Sequence, residues 1–493
     1  MSDLPPGWEW ATLGELGEWY GGGTPSKRNP EYWTDGIIPW LSPKDMGWDK
    51  LARTRDKISE AALTGSSARL VPENSVAIVV RSGILERRLP IAVVPFETTL
   101  NQDMRAVVPY DGVDHSWLAY FLRSAEAQIL KECSKRGTTV ASIDVPSLMR
   151  LRVPMAPRQE QKRVVAVLEA QLSRLNAGND YVLMARERYA RSRDAATMAA
   201  LRGELVEAST GEMSIRDFMA LLSAVRQEKV SRRRRIPIPM SQSPDLGMPN
   251  RWAVTSLDSL CWDIQYGTSA KATADESGDV IPVIRMGNIQ DGGLVKNSLK
   301  YLSVDHPDVA GLRLVDGDVL FNRTNSLELV GKTAAYRRSF GPATFASYLI
   351  RCRLLPQVNP DWIALVINSP IGRKYVKSVA SQQVGQANVN GTKLAAMPIP
   401  LPPPGEQERI VAAVGELLES LERGASVADA VVTRGNRLRR SLLVDAFSGR
   451  LVPQDPNDEP ASVLLERIRA LRAAQPKRGR TRRAKNTNQE TLL

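Results

Sequence analysis

Histidine and cysteine are nearly missing from this chain. Its 493 residues carry two histidines, His115 and His306, and three cysteines, Cys133, Cys261 and Cys352. Spaced so far apart, they exclude a disulfide framework and a zinc site, and they leave almost no material for a histidine-based triad. No apolar run approaches the ~18 residues of a membrane span. The opening Met1-Ser2-Asp3-Leu4-Pro5-Pro6 lacks the basic and apolar regions of a signal peptide, so the cytoplasm is the expected compartment. An acidic balance is also missing: 66 lysines and arginines against 54 acidic residues leave a formal charge of +12, a field that attracts polyanions. Hydrophobic residues make up 43% of the chain, enough for real cores, and the length suggests roughly three domains at ~150 residues each.

Catalytic signatures are absent too. Val330-Gly331-Lys332-Thr333 has the end of a phosphate-binding loop, but the glycine required five residues before Gly331 is replaced by Ser326, and such a loop cannot easily wrap its amides around a phosphate. A lysine and a threonine on a turn is the better account. No Asn-Pro-Pro-aromatic run appears, and no glycine-rich cofactor fingerprint follows a strand.

What is present is written twice. Trp8, Leu13 and Leu16 recur as Trp252, Leu257 and Leu260, an offset of 244 residues (252 − 8), and Gly23-Thr24 with Lys27 recurs as Gly267-Thr268 with Lys271. Further on, Val153-Pro154, Pro157 and Glu160-Gln161 reappear as Ile399-Pro400, Pro403 and Glu406-Gln407, an offset of 246 (407 − 161). So small a drift means a duplicated half-chain, and the sparse identity means diverged copies. In each, short apolar runs such as Ser75 to Val80 and Asp318 to Phe321 read as strands. A short helix follows with Trp117 or Trp362, which reads as a core anchor. A proline cluster then closes the globular part, and a long helical pattern begins.

Those helices carry a heptad seam: Val411, Val414, Leu418 and Leu421, continuing through Ala425, Ala428 and Val432. Subtracting 246 gives Val165, Leu168, Leu172 and Leu175, continuing through Asn179, Val182 and Arg186. Each stripe must be buried, and the other copy supplies the nearest complement; isologous pairing makes the helices antiparallel. At ~1.5 Å per residue each would extend roughly 65 to 70 Å. Gly178, Gly415, Gly424 and Gly435 are poor helix formers and predict bends or weak points, while Asn179 is a candidate register-setter.

These residues resemble the specificity subunits of type I restriction-modification systems over essentially the whole chain. The resemblance rests on Trp8 with the Gly21-Gly22-Gly23-Thr24-Pro25 loop, on Pro398 to Pro404 leading to Glu406-Gln407, and on Ala446-Phe447-Ser448-Gly449-Arg450-Leu451-Val452-Pro453. It implies an α+β fold: a tandem duplication of a mixed α/β target recognition domain followed by a long helix, the helices pairing as an antiparallel coiled-coil spacer in a pseudo-two-fold dumbbell. The expected division is recognition domains at 1–157 and 249–404, spacer helices at 158–206 and 405–453, a helical and basic linker at 207–248, and a C-terminal helix with a disordered basic tail at 454–493. The resemblance further implies a non-catalytic subunit that reads the two halves of an asymmetric, split sequence in double-stranded DNA. It docks two adenine-methylating subunits and, through them, restriction and translocase subunits. S-adenosylmethionine, ATP and Mg would reside on those partners, with no cofactor or metal on this chain. The first copy departs from the family pattern around Arg158 to Gln161 and Ala199 to Gly203. The alternative is a non-catalytic coiled-coil scaffold, or an orphan DNA-binding protein without a restriction partner.

Base edges favour Arg and Lys for guanine and Asn and Gln for adenine, whereas phosphates accept from any donor. Candidates border the strands: Lys44, Arg81, Ser82, Arg87, Lys135 and Arg136 in the first copy; Arg285, Asn288, Asn322, Arg323, Thr324, Asn325, Gln382, Gln383 and Gln386 in the second. At each, base contact competes with ordinary loop solvation. Thr24, Lys27, Thr268 and Lys271 are shared by both copies, which favours fixing a turn or a phosphate over reading sequence. Arg232 to Arg235 in the linker and Lys477 to Lys485 in the tail would add salt-sensitive affinity or simply be solvated. Residues 461–474 show an amphipathic stripe (Val463, Leu464, Ile468, Leu471) expected to dock on a partner.

Overall fold

The computed structural model describes residues 4–47, 50–135, 140–208, 213–230, 236–241, 247–383 and 385–474. Arg136, Arg232 to Arg235 and Lys477 to Lys485 fall outside them. The chain divides into two compact units, residues 1–181 with 430–493, and residues 182–429. Each unit thus joins one globular part to pieces of both long helices, which we label α1 (Arg158–Leu201) and α3 (Pro404–Phe447). Two shorter helices follow them in sequence, α2 (Ile215–Lys229) and α4 (Ala461–Ala474).

In the first unit, strand Glu9–Thr12 pairs antiparallel with Arg152–Met155 and so ties the two ends of the globular part together. Between them lies an antiparallel sheet in the order Gly17–Gly21, Met104–Pro109, Ser75–Val79, Ile91–Val94. Ser75–Val79 is buried at every position, as befits a β-branched run covered on both faces. Asn74, at φ 59°, turns the chain into it, a conformation asparagine tolerates better than most residues. A second sheet orders Asp56–Ile58, Ile38–Leu41, Thr98–Leu100 and Leu70–Val71, with the middle pair parallel. The second unit repeats this plan. Ala253–Ser256 pairs with Pro398–Leu401, and Cys261–Tyr266, Leu349–Leu354, Val319–Asn322 and Thr333–Ala335 form the main sheet. Lys300–Ser303, Val280–Ile284 and Thr344–Phe345 form the smaller one, again with one parallel pair. Among the described residues, this copy alone adds a three-stranded sheet, Thr324–Asn325, Gln386–Asn388 and Ser381–Gln383.

The recurring Glu-Gln pair has a structural explanation. Gln161 Oε1 accepts from Asp114 N at 3.1 Å while its Nε2 donates to Ala156 O at 2.8 Å. Gln407 does the same with Asn359 N at 2.9 Å and Pro402 O at 2.8 Å. Asp114 and Asn359 are themselves the caps of the Trp117 and Trp362 helices. One glutamine therefore fixes the first turn of a long helix to the cap of the core helix, and satisfies a backbone donor and a backbone acceptor that burial would otherwise strand. The preceding glutamates have diverged. Glu160 accepts from the Trp8 indole at 3.0 Å, and burial pushes its carboxyl up, opposed by that hydrogen bond and by Arg163. Glu406 instead takes the Arg251 fork, at 2.6 and 3.2 Å. Trp117 and Trp362 are buried core anchors, edge-on to Trp8 and Trp252 at 5.4 and 5.6 Å.

Both long helices stay helical through Gly178, Gly415, Gly424 and Gly435. A Cβ on Gly424 would meet the Tyr189 ring at 2.8 Å; this glycine serves close approach. In the second unit, Arg186 pairs with Asp429 at 3.3 Å, and Tyr189 lies against Gly424. In the first unit, Arg439 donates to Asn176 Oδ1, and Asn179 faces Gly435. Within each unit rising numbers on α1 meet falling numbers on α3, which makes the pairing antiparallel. Val165, Leu168 and Leu172 are buried in the first core with Leu175 packed against it; Val414 is buried in the second, with Val411 and Leu418 against it and Leu421 half-buried. The stripe on α1 departs from expectation after Val182, passing through Ala185 and Tyr189 while Arg186 is exposed. Arg186 is charged and long, so it sits at the edge of the seam and reaches across to its carboxylate.

Each long helix ends on a glycine with positive φ, Gly203 at 68° and Gly449 at 72°, the left-handed cap that only glycine adopts without penalty. Gly449 abuts Pro5, and Gly203 abuts Pro249 and Trp252. Phe447 stacks edge-on against Trp117 at 4.8 Å and Phe121 at 5.4 Å; Leu201 is buried in the core that holds Trp252. Each globular part is thus completed by the end of the opposite repeat's helix. The short helices finish the job: Leu464, Leu465 and Ile468 of α4 are buried in the first core, and Phe218 and Leu222 of α2 in the second. This corrects the expectation that the stripe in residues 461–474 docks on a partner. Its buried face is covered by the first globular part of the same chain, while Val463 and Leu471 are exposed.

Candidate nucleic-acid interface

The Gly-Thr positions shared by both copies hold turns. A Cβ on Gly22 would stand 1.7 Å from Asn101 O, and Gly23 N donates to Leu100 O at 2.8 Å, so the glycine loop lies flat on the end of a strand. Thr24 Oγ1 accepts from Asn101 Nδ2 at 3.3 Å. Thr268 is buried, its hydroxyl donating to Asp308 and accepting from Ala270 N at 3.0 Å; it has no face left for a nucleotide. Lys27 and Lys271 are exposed.

In the first domain Lys44, Arg81, Arg87 and Lys135 are exposed. Ser82 caps the turn Gly83–Glu86, and Lys135 lies 3.8 Å from Asp144. In the second domain the strands bring two candidate clusters together. Thr324–Asn325 pairs with Gln386–Asn388, which pairs with Ser381–Gln383, so Gln382 and Gln386 stand exposed on the sheet that carries Thr324 and Asn325. Asn325 also reaches Met286 Sδ at 3.6 Å and shares a groove with Arg285 and Lys332.

Several candidates are structural. Asn288 is buried: its Oδ1 accepts from Arg285 N at 2.9 Å and its Nδ2 donates to Val295 O and Asn297 O at 3.0 and 2.7 Å. Asn322 is buried and donates to Leu329 O at 3.2 Å. Arg323 stacks over Tyr266 at 4.9 Å and donates to Asn388 Oδ1 at 3.2 Å, and Thr324 Oγ1 accepts from Asn388 Nδ2 at 3.1 Å. These residues position loops. Behind them Arg373 donates to Val330 O and Glu328 O, and burial lowers its pKa. Arg351 sits between Asp318 at 3.8 Å and Asp263 at 3.9 Å. Burial pushes the Asp318 carboxyl up and the Arg351 guanidinium down. Their mutual attraction and the Arg353 bond at 3.3 Å offset that cost, so the network braces the sheet under the loops.

The phosphate-loop echo is spent internally. Gly331 N donates to Asn322 O at 2.7 Å, Thr333 N to Asn368 Oδ1 at 3.1 Å, and the Thr333 hydroxyl to Gly331 O at 3.0 Å. Arg53 and Arg55 in the first domain, and Gln290 and Asn297 in the second, were not singled out by the sequence, yet all four are exposed around surface grooves. Among the described residues, no helix is long and apolar enough to cross a membrane.

Comparison with known proteins places the chain as a whole. The chain is 47% identical over 161 residues to the EcoR124I/EcoR124II specificity subunit of Escherichia coli, a match spanning 33% of this chain and 40% of that protein. It is 24% identical over 484 residues to the EcoKI specificity subunit of Escherichia coli K12, covering 96% and 97% of the two chains. Against the StySPI specificity subunit of Salmonella potsdam the identity is 23%, over 95% and 96%. A solved structure concerned with complex assembly and conformational transition of a type I R-M system shares the fold, with a TM-score of 0.59, 19% identity, and coverage of 92% of this chain and 100% of that one. The sequence profile of the type I restriction modification DNA specificity domain matches residues 5–180 and again 249–426. The chain therefore belongs to the type I restriction-modification DNA specificity family and carries its defining domain twice.

Proposed function

We propose that this chain selects the DNA sequence for a multisubunit adenine methyltransferase and endonuclease. Each globular part reads one half of an asymmetric, bipartite target, while α1 and α3 set the gap and dock two methylation subunits, with restriction subunits joining through them. S-adenosylmethionine, ATP and Mg belong to those partners. The observation that carries the reading is the pairing of a shared scaffold with a diverged surface. The strand ties, glutamine clamps and helix caps are the same in both units, whereas the exposed polar loops differ, as unequal half-sites require.

The experiment is a genome-wide map of methylated adenines in a host expressing this chain with its methylation subunit, against a host lacking the chain. A split motif should appear only with the chain. A seven-residue insertion in both α1 and α3 adds ~10 Å of helix and should lengthen the gap by about three base pairs at ~3.4 Å each, leaving both halves unchanged. A motif with unaltered gap sinks the spacer role; no chain-dependent motif sinks the whole reading and favours a purely structural scaffold.

A further inference from the structure

Each globular part contains one turn built to the same design. In the first, strand Ile38–Leu41, parallel to Thr98–Leu100, runs into the turn Pro43–Asp45. Asp45 folds back, accepting from Ser42 N and Oγ at 2.8 and 2.9 Å, and its other oxygen accepts from Arg55 N at 2.9 Å. In the second, strand Val280–Ile284, parallel to Thr344–Phe345, runs into the turn Met286–Asn288. Asn288 folds back onto Arg285 N and holds Val295 and Asn297 by their carbonyls. Ser42 and Asp45 thus correspond to Arg285 and Asn288, an offset of 243 (285 − 42, 288 − 45), one residue from that of the flanking repeat. In both units a later strand returns antiparallel beside the same strand, Asp56–Ile58 in the first and Lys300–Ser303 in the second.

The two grooves share an anchor and differ in lining. Lys44, Arg53 and Arg55 are exposed around the first. Around the second stand Gln290 and Asn297, exposed, with Asn325 half-buried beside Arg285; Lys332 and Asp291 also line it, their opposite charges leaving the carboxamides as its distinguishing groups. A surface built only to hold phosphate needs donors alone and has no use for carboxamides. Carboxamides present a donor next to an acceptor, and that pairing matches the N6 and N7 edge of adenine. Ammonium and guanidinium groups match the two acceptors of guanine, O6 and N7.

We infer that these are equivalent base-contact grooves, the cationic one taking a guanine-bearing half-site and the carboxamide one an adenine-bearing half-site. The inference rests on the DNA-reading role proposed above and assigns its chemistry to residues.

The test uses the full chain with its methylation subunit and adenine-methylation mapping, comparing the parent with Arg53→Ala/Arg55→Ala and with Gln290→Ala/Asn297→Ala. All four side chains are exposed, so unchanged melting temperatures establish that the variants fold. The first variant should relax preference at guanine positions of one half by about tenfold, and the second at adenine positions of the other half by a similar factor. Exchanging the globular part before Pro154 identifies which half belongs to which domain. Uniform loss of methylation with both half-sites intact would show phosphate contact only and overturn the inference, as would relaxation in the half belonging to the other domain. Because the parent motif is mapped alongside, failure of the grooves is distinguishable from failure of DNA reading itself, in which the parent yields no motif.

Discussion

A chain terminated after Asp458 should lose the folded state of its first unit while the second unit survives. The truncation removes α4, and with it Leu464, Leu465 and Ile468 from the first core. Burying each such side chain is worth about 1.5–3 kcal/mol, so the loss is of the order of the ~5–15 kcal/mol that holds a domain together. The Ala461 N to Gly7 O bond at 2.8 Å and the Leu464 contact on Gly112 go too. The Arg163–Asp458 pair at 2.6 Å is kept. Amide exchange followed by peptide mass analysis reads the outcome: peptides from Ser75–Val79 and Met104–Pro109 should become unprotected while those from Leu349–Leu354 stay protected. Adding a synthetic peptide of residues 459–474 should restore part of the protection. Full protection in the truncated chain would show that α4 merely rests on the surface.

The second large effect concerns Arg226 on α2. Its side chain is 5% exposed and lies 2.9 Å from Asp258, itself 4% exposed; it also donates to the carbonyls of Asp258 and Cys261. Arg226→Ala would leave a buried carboxylate without its counter-charge, at a cost of about 3–5 kcal/mol, and should lower the melting of the second unit by roughly 10 °C. The pair itself is not expected to be a large net source of stability, because desolvation consumes most of its attraction. Arg226→Met with Asp258→Asn should therefore recover most of the loss, since the carboxamide oxygen would still accept from Ile238 N, which lies 3.0 Å from the Asp258 carboxylate. Calorimetry on the three proteins decides: an Arg226→Ala transition indistinguishable from the parent's would mean that water or rearrangement replaces the guanidinium.

Periodicity made the architecture legible. Repeated tryptophans, the Glu-Gln pair and the seam all obey spacings that a folded chain must satisfy locally; the duplication and the long helices follow from them, while the mixed α/β fold of each domain came with the family resemblance. The stripe in residues 461–474 was equally visible, but periodicity says only that a face is buried. It does not say by what, and the cover comes from the globular part at the far end of the chain. The site was less legible for the same reason. Thr268, Asn288 and Asn322 look like loop polarity in sequence, yet Asp308, the 295 and 297 carbonyls and Leu329 O engage them. Conversely Arg53 and Arg55 sit in a loop that borders no recognisable strand run. Aligning Ser42 and Asp45 with Arg285 and Asn288 would have found them, but the offset falls where the two copies share few identities.

The proline and glycine contacts at the helix ends also order events in time. Pro5 and Gly449, which abut, lie 444 residues apart (449 − 5), and synthesis must run from the first to the second before they can meet. At ~5–20 residues per second the first globular part waits tens of seconds for its last helix. The second, whose α1 end and α2 precede it in sequence, has its partners in hand as it appears. A chain ended before α3 and α4 are made thus carries a first domain whose apolar face stays uncovered, since Leu443, Ala446, Leu464, Leu465 and Ile468 would be missing from its core.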